Sequence, residues 1–202
     1  MREVFGALVG IERSMAKSSN SGSAAAAVRK RAPHALIEQN LAGAATAELA
    51  CAEMSKIFNV WLAEVAVLRV EKDVLNFLFP LELKTAGFIP LSSSKSVAAR
   101  TANSRKVELF NNFSIVQHAN VFETIKLSTL GQSDAPGAST IQKLMSTPVV
   151  DANQNVLGVI QVCHKGLTPD EAGPDFTLND LQNLELAAKV LAKLPFMRVL
   201  AG

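Results

Sequence analysis

Residues 147–166 read TPVVDANQNVLGVIQVCHKG and constrain the fold more strongly than any other stretch of the chain. The segments 147–150 and 156–163 are rich in valine and isoleucine, as buried β-strands usually are. Residues 151–155 between them are mostly polar, which is typical of a turn. The stretch therefore predicts an antiparallel hairpin, and its density of apolar residues predicts a central position in a sheet.

A second hairpin is predicted upstream of the first. Residues 65–70 follow the two-residue period of a strand, residues 71–73 form a polar turn, and residues 74–79 form another apolar strand that ends at Pro80. Short extended pieces are expected at 88–91 and 107–110, with a short serine-capped helix over 97–102.

Helices are predicted on both sides of the two hairpins. From His34 to Asn59, apolar residues recur every seven positions, and the small residues among them would let a second helix approach closely: Ile37, Ala44, Cys51 and Phe58. Near the end of the chain, Thr177 stands three residues before Asp180, the spacing of a helix-capping box. The helix after this box is expected to end before Pro195.

Composition limits the class of protein and its compartment. About 49% of the 202 residues are hydrophobic and 19% are charged, with a net charge of +2, so the chain has enough apolar material for a core. Basic residues are scattered, which disfavours nucleic acid as a partner. No apolar run is long enough to predict a membrane span, and no secretory signal pattern opens the sequence. A cytoplasmic protein is expected.

The chain is expected to contain one main domain. Residues 1–33 predict a short amphipathic helix followed by a flexible linker rich in Ser, Gly and Ala. Residues 34–196 are assigned to the domain itself, and residues 197–202 to a tail.

The residues that usually carry catalysis do not form a recognisable pattern. His34, His118 and His164 lack the spacing of metal ligands, and Cys51 and Cys163 are far apart in apolar segments. Neither a phosphate-binding glycine loop nor a nucleophile elbow is present. We therefore predict no catalytic residue, no metal and no cofactor.

The order helix, hairpin, irregular middle, hairpin, helix resembles that of a GAF domain over residues 34–194. The stretch LGVIQ at 157–161 and PDFTLNDLQNLELAAKVLAKL at 174–194 are similar to the family's last strand and last helix. Four residues match its pattern: Gly158, Lys165, Phe176 and Asp180. His164 and Leu181 depart from it, since nucleotide-binding members have Asn and Glu there. The resemblance therefore does not imply cyclic-nucleotide binding.

This resemblance implies an α+β fold related to profilin and PAS domains, with a central antiparallel sheet and the first and last helices packed on one face. The other face, roofed by residues 90–140, would hold a small molecule of unknown identity. Candidate ligand-binding residues, chosen by location, are Phe88, Ser96, Phe110, Phe113, Val116, His118, Phe122 and Thr124. Aromatic filling of the same space by the core is an equally good interpretation.

The implied function is non-catalytic sensing, relayed through the terminal helices. Such domains commonly dimerise, which would here use residues 34–58 and 178–194. The free methionine sulfoxide reductases of the family use a set of cysteines that two remote thiols do not reproduce. The alternative is a scaffold without a ligand, used for dimerisation or for docking a partner protein.

Overall fold

The computed structural model describes residues 34–85, 87–113 and 140–198, and these residues lie in one compact unit within 31–202. The predicted helix and linker in 1–33 lie outside the described residues, as do residues 114–139 of the irregular segment predicted at 111–140. The division of the chain at 33 thus stays a prediction.

The described strands form a single antiparallel sheet. They are β1 (Val65–Glu71), β2 (Val74–Phe79), β3 (Phe88–Pro90), β4 (Glu108–Phe110), β5 (Thr140–Val150) and β6 (Val156–Gly166). Their order is β3-β2-β1-β6-β5-β4, and each neighbouring pair runs antiparallel. Both predicted hairpins are therefore confirmed, and β6 of the second hairpin lies at the centre beside β1.

Three helices cover one face of this sheet: α1 (His34–Ala42), α2 (Ala47–Phe58) and α5 (Leu178–Leu191). Their buried side chains join those of the sheet in one core, which includes Leu41, Met54, Val67, Ile160 and Leu184. The predicted packing of the first and last helices on one face is confirmed, because α1 packs along α5.

The prediction of one continuous helix from 34 to 59 is wrong. The chain leaves the helix at Gly43, and Thr46 then caps α2 by accepting a hydrogen bond from the Leu49 N–H at 3.2 Å. Glycine weakens a helix and a threonine cap starts a new one, so local chemistry outweighs the heptad pattern here. The buried residues of that pattern still face inward, since α1 and α2 both lie on the same core.

The opposite face is covered by α3 (Leu81–Lys84) and α4 (Val97–Ser104). It has its own core, to which the sheet contributes Leu68, Phe77, Leu144 and Val159 and the helix α4 contributes Ala98 and Ala102. The sheet thus separates two apolar layers, one under the terminal helices and one under α4.

At the centre of the sheet, a glycine of β6 packs closely against the neighbouring strand and against a residue near the end of the chain. Gly158 pairs with Arg69 on one side and Val149 on the other. A Cβ at this position would overlap the carbonyl oxygen of Leu68 and come within 2.7 Å of Met197 Cε. The strands therefore pack too closely at Gly158 to leave room for a side chain. Met197 was assigned to the tail, but it is fully buried and belongs to the core.

Candidate functional site

The sheet face beneath α4 carries a small group of buried polar side chains among apolar ones. Ser146 on β5 and Gln161 on β6 are cross-strand partners, and both are almost inaccessible to solvent. The Gln161 amide donates to Ser146 Oγ at 3.4 Å, and Ser146 Oγ lies 2.8 Å from Thr101 Oγ1 of α4. Hydroxyl and amide groups therefore meet in the middle of an otherwise apolar interface.

Contacts at the first turn and in the middle of α4 hold the helix over this group. Ser96 caps its first turn by accepting from the Ala99 N–H at 3.3 Å. Glu108 on β4 accepts hydrogen bonds from Thr101 Oγ1 at 2.8 Å and from Arg100 Nε at 2.7 Å. These partly buried hydrogen bonds join α4 to the edge strand β4.

The predicted ligand-binding residues are only partly brought together. Ser96 and Phe113 are buried near α4, and the half-buried Phe110 packs edge-to-face on Phe113 with ring centroids 5.8 Å apart. Phe88 lies on the edge strand β3 and is 60% exposed, so it does not line this face. The remaining four candidates lie outside the described residues: Val116, His118, Phe122 and Thr124.

Sequence reasoning missed Thr101, Ser146 and Gln161. A signal was present at Gln161, which is the polar residue inside the apolar run from 156 to 163. The meeting of Ser146 and Gln161 under α4 could not be read from the sequence, because it depends on the register of β5 on β6.

Phe176, which matches the family pattern, lies in the core under the terminal helices, in the connection between β6 and α5. Its ring stacks on His164 with centroids 4.3 Å apart and planes 10° apart. Its backbone N–H donates to Asn111 Oδ1 at 2.9 Å, and its carbonyl accepts from Asn111 Nδ2 at 3.0 Å. His164, one of the two departures from the family pattern, thus supports the matching phenylalanine.

The loop between β6 and α5 is held by a second buried contact. Lys143 is nearly inaccessible, and its ammonium donates to the Gly173 carbonyl at 2.6 Å and pairs with Asp175 at 2.7 Å. Asp180 closes the predicted capping box with Thr177.

A buried carboxylate anchors the start of β1. Glu64 is 2% exposed and accepts from the Lys165 N–H at 2.6 Å and from the Trp61 N–H at 2.8 Å. Burial raises the pKa of this carboxyl above its ordinary value of 4.5, although both hydrogen bonds act in the opposite direction. The loss of solvent around the carboxylate raises its pKa more than the two N–H donors lower it.

This pKa shift gives a test by pH. A carboxyl whose folded pKa is raised stabilises the fold fully below its unfolded pKa, and that contribution is lost as pH rises through the folded pKa. We expect the stability advantage of the native chain over Glu64→Gln to shrink as pH rises above about 4.5. Urea unfolding of both proteins at several pH values would measure it. A stability advantage that stays constant or grows with pH would contradict a raised pKa at Glu64.

The two cysteines cannot cooperate in this fold. Cys51 belongs to the core under the terminal helices and Cys163 to the core under α4, so the sheet lies between them. Both side chains are fully buried, and burial raises the pKa of the Cys51 thiol well above its ordinary value. Within the described ranges no group of three His, Cys, Asp or Glu side chains is placed to hold a metal, and no helix there is long and apolar enough to cross a membrane.

Several solved structures share this architecture at low sequence identity. The GAF domain of a phosphoenolpyruvate-protein phosphotransferase from Acinetobacter is 13% identical, with a TM-score of 0.54 over 79% of this chain and 87% of that one. A methyl-accepting chemotaxis protein fragment is 12% identical, with a TM-score of 0.52 over 77% and 92% of the two chains. fRMsr of Staphylococcus aureus, solved with its substrate, is 14% identical, with a TM-score of 0.50 over 79% and 94%.

The antiparallel sheet clasped by the terminal helices and these matches define the chain as a GAF-like fold, which confirms the resemblance in fold. No family model matches the sequence, and no curated protein matches it.

Proposed function

We propose that the chain is a regulatory domain that binds a small molecule on the sheet face beneath α4. The observation that carries the proposal is the buried trio Thr101, Ser146 and Gln161, which places hydroxyl and amide groups in the centre of an apolar layer. Small-molecule sites combine apolar walls with a few fixed polar groups. A ligand with a compact apolar body and one group that both donates and accepts hydrogen bonds fits this chemistry.

A thermal-shift screen with a metabolite panel tests this proposal. A ligand that binds only the folded state raises the unfolding temperature in step with its concentration relative to Kd. The variant Ser146→Ala should abolish or strongly reduce that shift while lowering intrinsic stability by only about 1 kcal/mol. Ser94→Ala, at an exposed position before α4, is the matched control and should keep the full shift.

The ligand signal would leave the domain through its helical layer, for which we propose a homodimer built on α1, α2 and α5. Each of these helices exposes a leucine: Leu36 is 42% exposed, Leu49 52% and Leu178 72%. The inner seam of small residues is already occupied by the chain's own core, so a partner must use the outer surface. Sedimentation should give a dimer that Leu36→Ser, Leu49→Ser and Leu178→Ser together convert to a monomer.

A scaffold that binds no ligand is the second candidate, and the packing of Phe113 favours it. This side chain is 2% exposed and fills space beside α4 in the core of that face. If the face is simply a filled core, the metabolite panel leaves the unfolding temperature unchanged. The dimer or a protein partner would then be the whole function.

We propose a non-catalytic role although the similar protein fRMsr is an enzyme. The support is the placement of the thiols, because Cys51 and Cys163 are inaccessible and lie on opposite sides of the sheet. Two cysteines in that arrangement cannot exchange a disulfide without unfolding. Turnover of free methionine sulfoxide that is lost in Cys163→Ala would overturn this part of the proposal.

A further inference from the structure

A cleft of about 550 Å³ opens on the side of the sheet away from α4, at the β4 edge. Its walls are β5, α5 and residues 105–107, which join α4 to β4. Thr147 on its floor alternates with Met145 and Val149, which belong to the core under the terminal helices. Glu185, Ala188 and Lys189 of α5 form the wall on that side, so the cleft lies at the sheet edge next to the terminal helices.

The origin of the cleft can be traced to one proline. β4 pairs with β5 from Phe110 opposite Leu144 to Glu108 opposite Ser146, and continuing this register would place Lys106 opposite Pro148. Proline has no N–H to donate to a ladder, so pairing ends at Glu108. The chain then diverges from β5 towards Arg105, whose left-handed backbone (φ 56°) ends α4. The cleft therefore opens where the chain between α4 and β4 runs apart from β5.

The cleft is lined by three cations and one carboxylate. Arg105, Lys106 and Lys189 line it, and none of them takes part in the ion pairs found between described residues. Glu185 is the carboxylate among the lining residues. The carbonyl end of α4 at Arg105 adds a partial negative charge, but three full cations outweigh these two features.

We propose that this cleft binds a small organic anion, with a phosphate or carboxylate held by Arg105, Lys106 and Lys189. Pro148 and Val150 give the cleft apolar walls for the body of the molecule. Its volume lies in the usual range for small-molecule sites. The guanidinium offers a planar pair of donors that matches an oxyanion, and the two ammonium groups add charge without fixed geometry.

Calorimetric titration of the full chain at low salt tests this with three probes: phenyl phosphate, inorganic phosphate and benzyl alcohol. Phenyl phosphate should bind more tightly than inorganic phosphate, and benzyl alcohol should not bind. The variant Arg105→Asn, Lys106→Gln, Lys189→Gln should weaken phenyl phosphate by at least about tenfold. Glu185→Gln should tighten it by about threefold. Asparagine is chosen at position 105 because it tolerates the left-handed backbone.

The control variant removes three exposed cations from the far half of the sheet: Lys56→Gln, Lys72→Asn and Lys84→Gln. It should keep the affinity of the native chain, because these residues lie on α2, the β1–β2 turn and α3. Equal weakening in both triple variants would show non-specific attraction and overturn the proposal. So would the absence of phenyl phosphate binding at millimolar concentration, or equal affinity for phenyl phosphate and inorganic phosphate.

Discussion

Replacing Gly158 by alanine should lower the free energy of unfolding by about 3 kcal/mol, near the upper end for a small-to-large substitution in a core. The added methyl group would overlap the Leu68 carbonyl, which is backbone of the neighbouring strand and cannot rotate away. Met197 Cε could move, but the strand could not without breaking the β1–β6 ladder at the centre of the sheet. Thermal unfolding followed by circular dichroism should show a midpoint lower by about 6–12 °C.

Gly43→Ala is the matched control for this substitution. Nothing lies within 4 Å of a Cβ added at Gly43. Alanine at such a position should stabilise the protein by about 0.5 kcal/mol, because it lowers the conformational entropy of the unfolded chain. If both alanine variants unfolded at the same midpoint, the close approach of the strands at Gly158 would be contradicted.

Replacing Phe176 by alanine should cost about 3 kcal/mol, the usual range for removing a buried aromatic ring. The ring is 5% exposed and stacks on His164, so its removal leaves a cavity between the end of β6 and the start of α5. The two hydrogen bonds between the Phe176 backbone and Asn111 would remain available. The loss should therefore come from packing, and urea unfolding would measure it.

Phe176→Leu separates volume from stacking. It keeps most of the apolar volume and loses the ring, so about 1 kcal/mol is expected, the size of an aromatic contact beyond simple burial. An equal loss in the leucine and alanine variants would mean that the stack, and not the cavity, sets the stability of this junction. A negligible loss in both would contradict the burial of Phe176.

The strands were the part of the fold that sequence predicted best. The hairpins at 65–79 and 147–166 follow from alternation, from β-branched residues and from polar turns, which are all local signals. The helix at 34–59 was predicted as one piece because the heptad repeat continued through Gly43 and Thr46. Gly43 and Thr46 indicate the end of one helix and the cap of the next. This indication is weaker than an apolar residue that recurs four times at a spacing of seven.

The face of the sheet that carries the candidate site was predicted, but not all of the residues that line it. Choosing the face opposite the terminal helices depended on family resemblance and gathered Ser96, Phe110 and Phe113 near α4. Phe88 was misplaced because a three-residue edge strand turns its side chain outward, which a short extended segment does not reveal. The roles of Val116, His118, Phe122 and Thr124 stay predictions.

By itself, the sequence determined the two hairpins and the cap at Thr177, because each depends on neighbouring residues and on the period of the backbone. Only the tertiary structure decided that Ser146 meets Thr101, that His164 stacks on Phe176, and that three cations surround the opening left by Pro148. Such contacts join residues far apart in the chain. Register and packing of the whole sheet fix them, and no local pattern encodes that register.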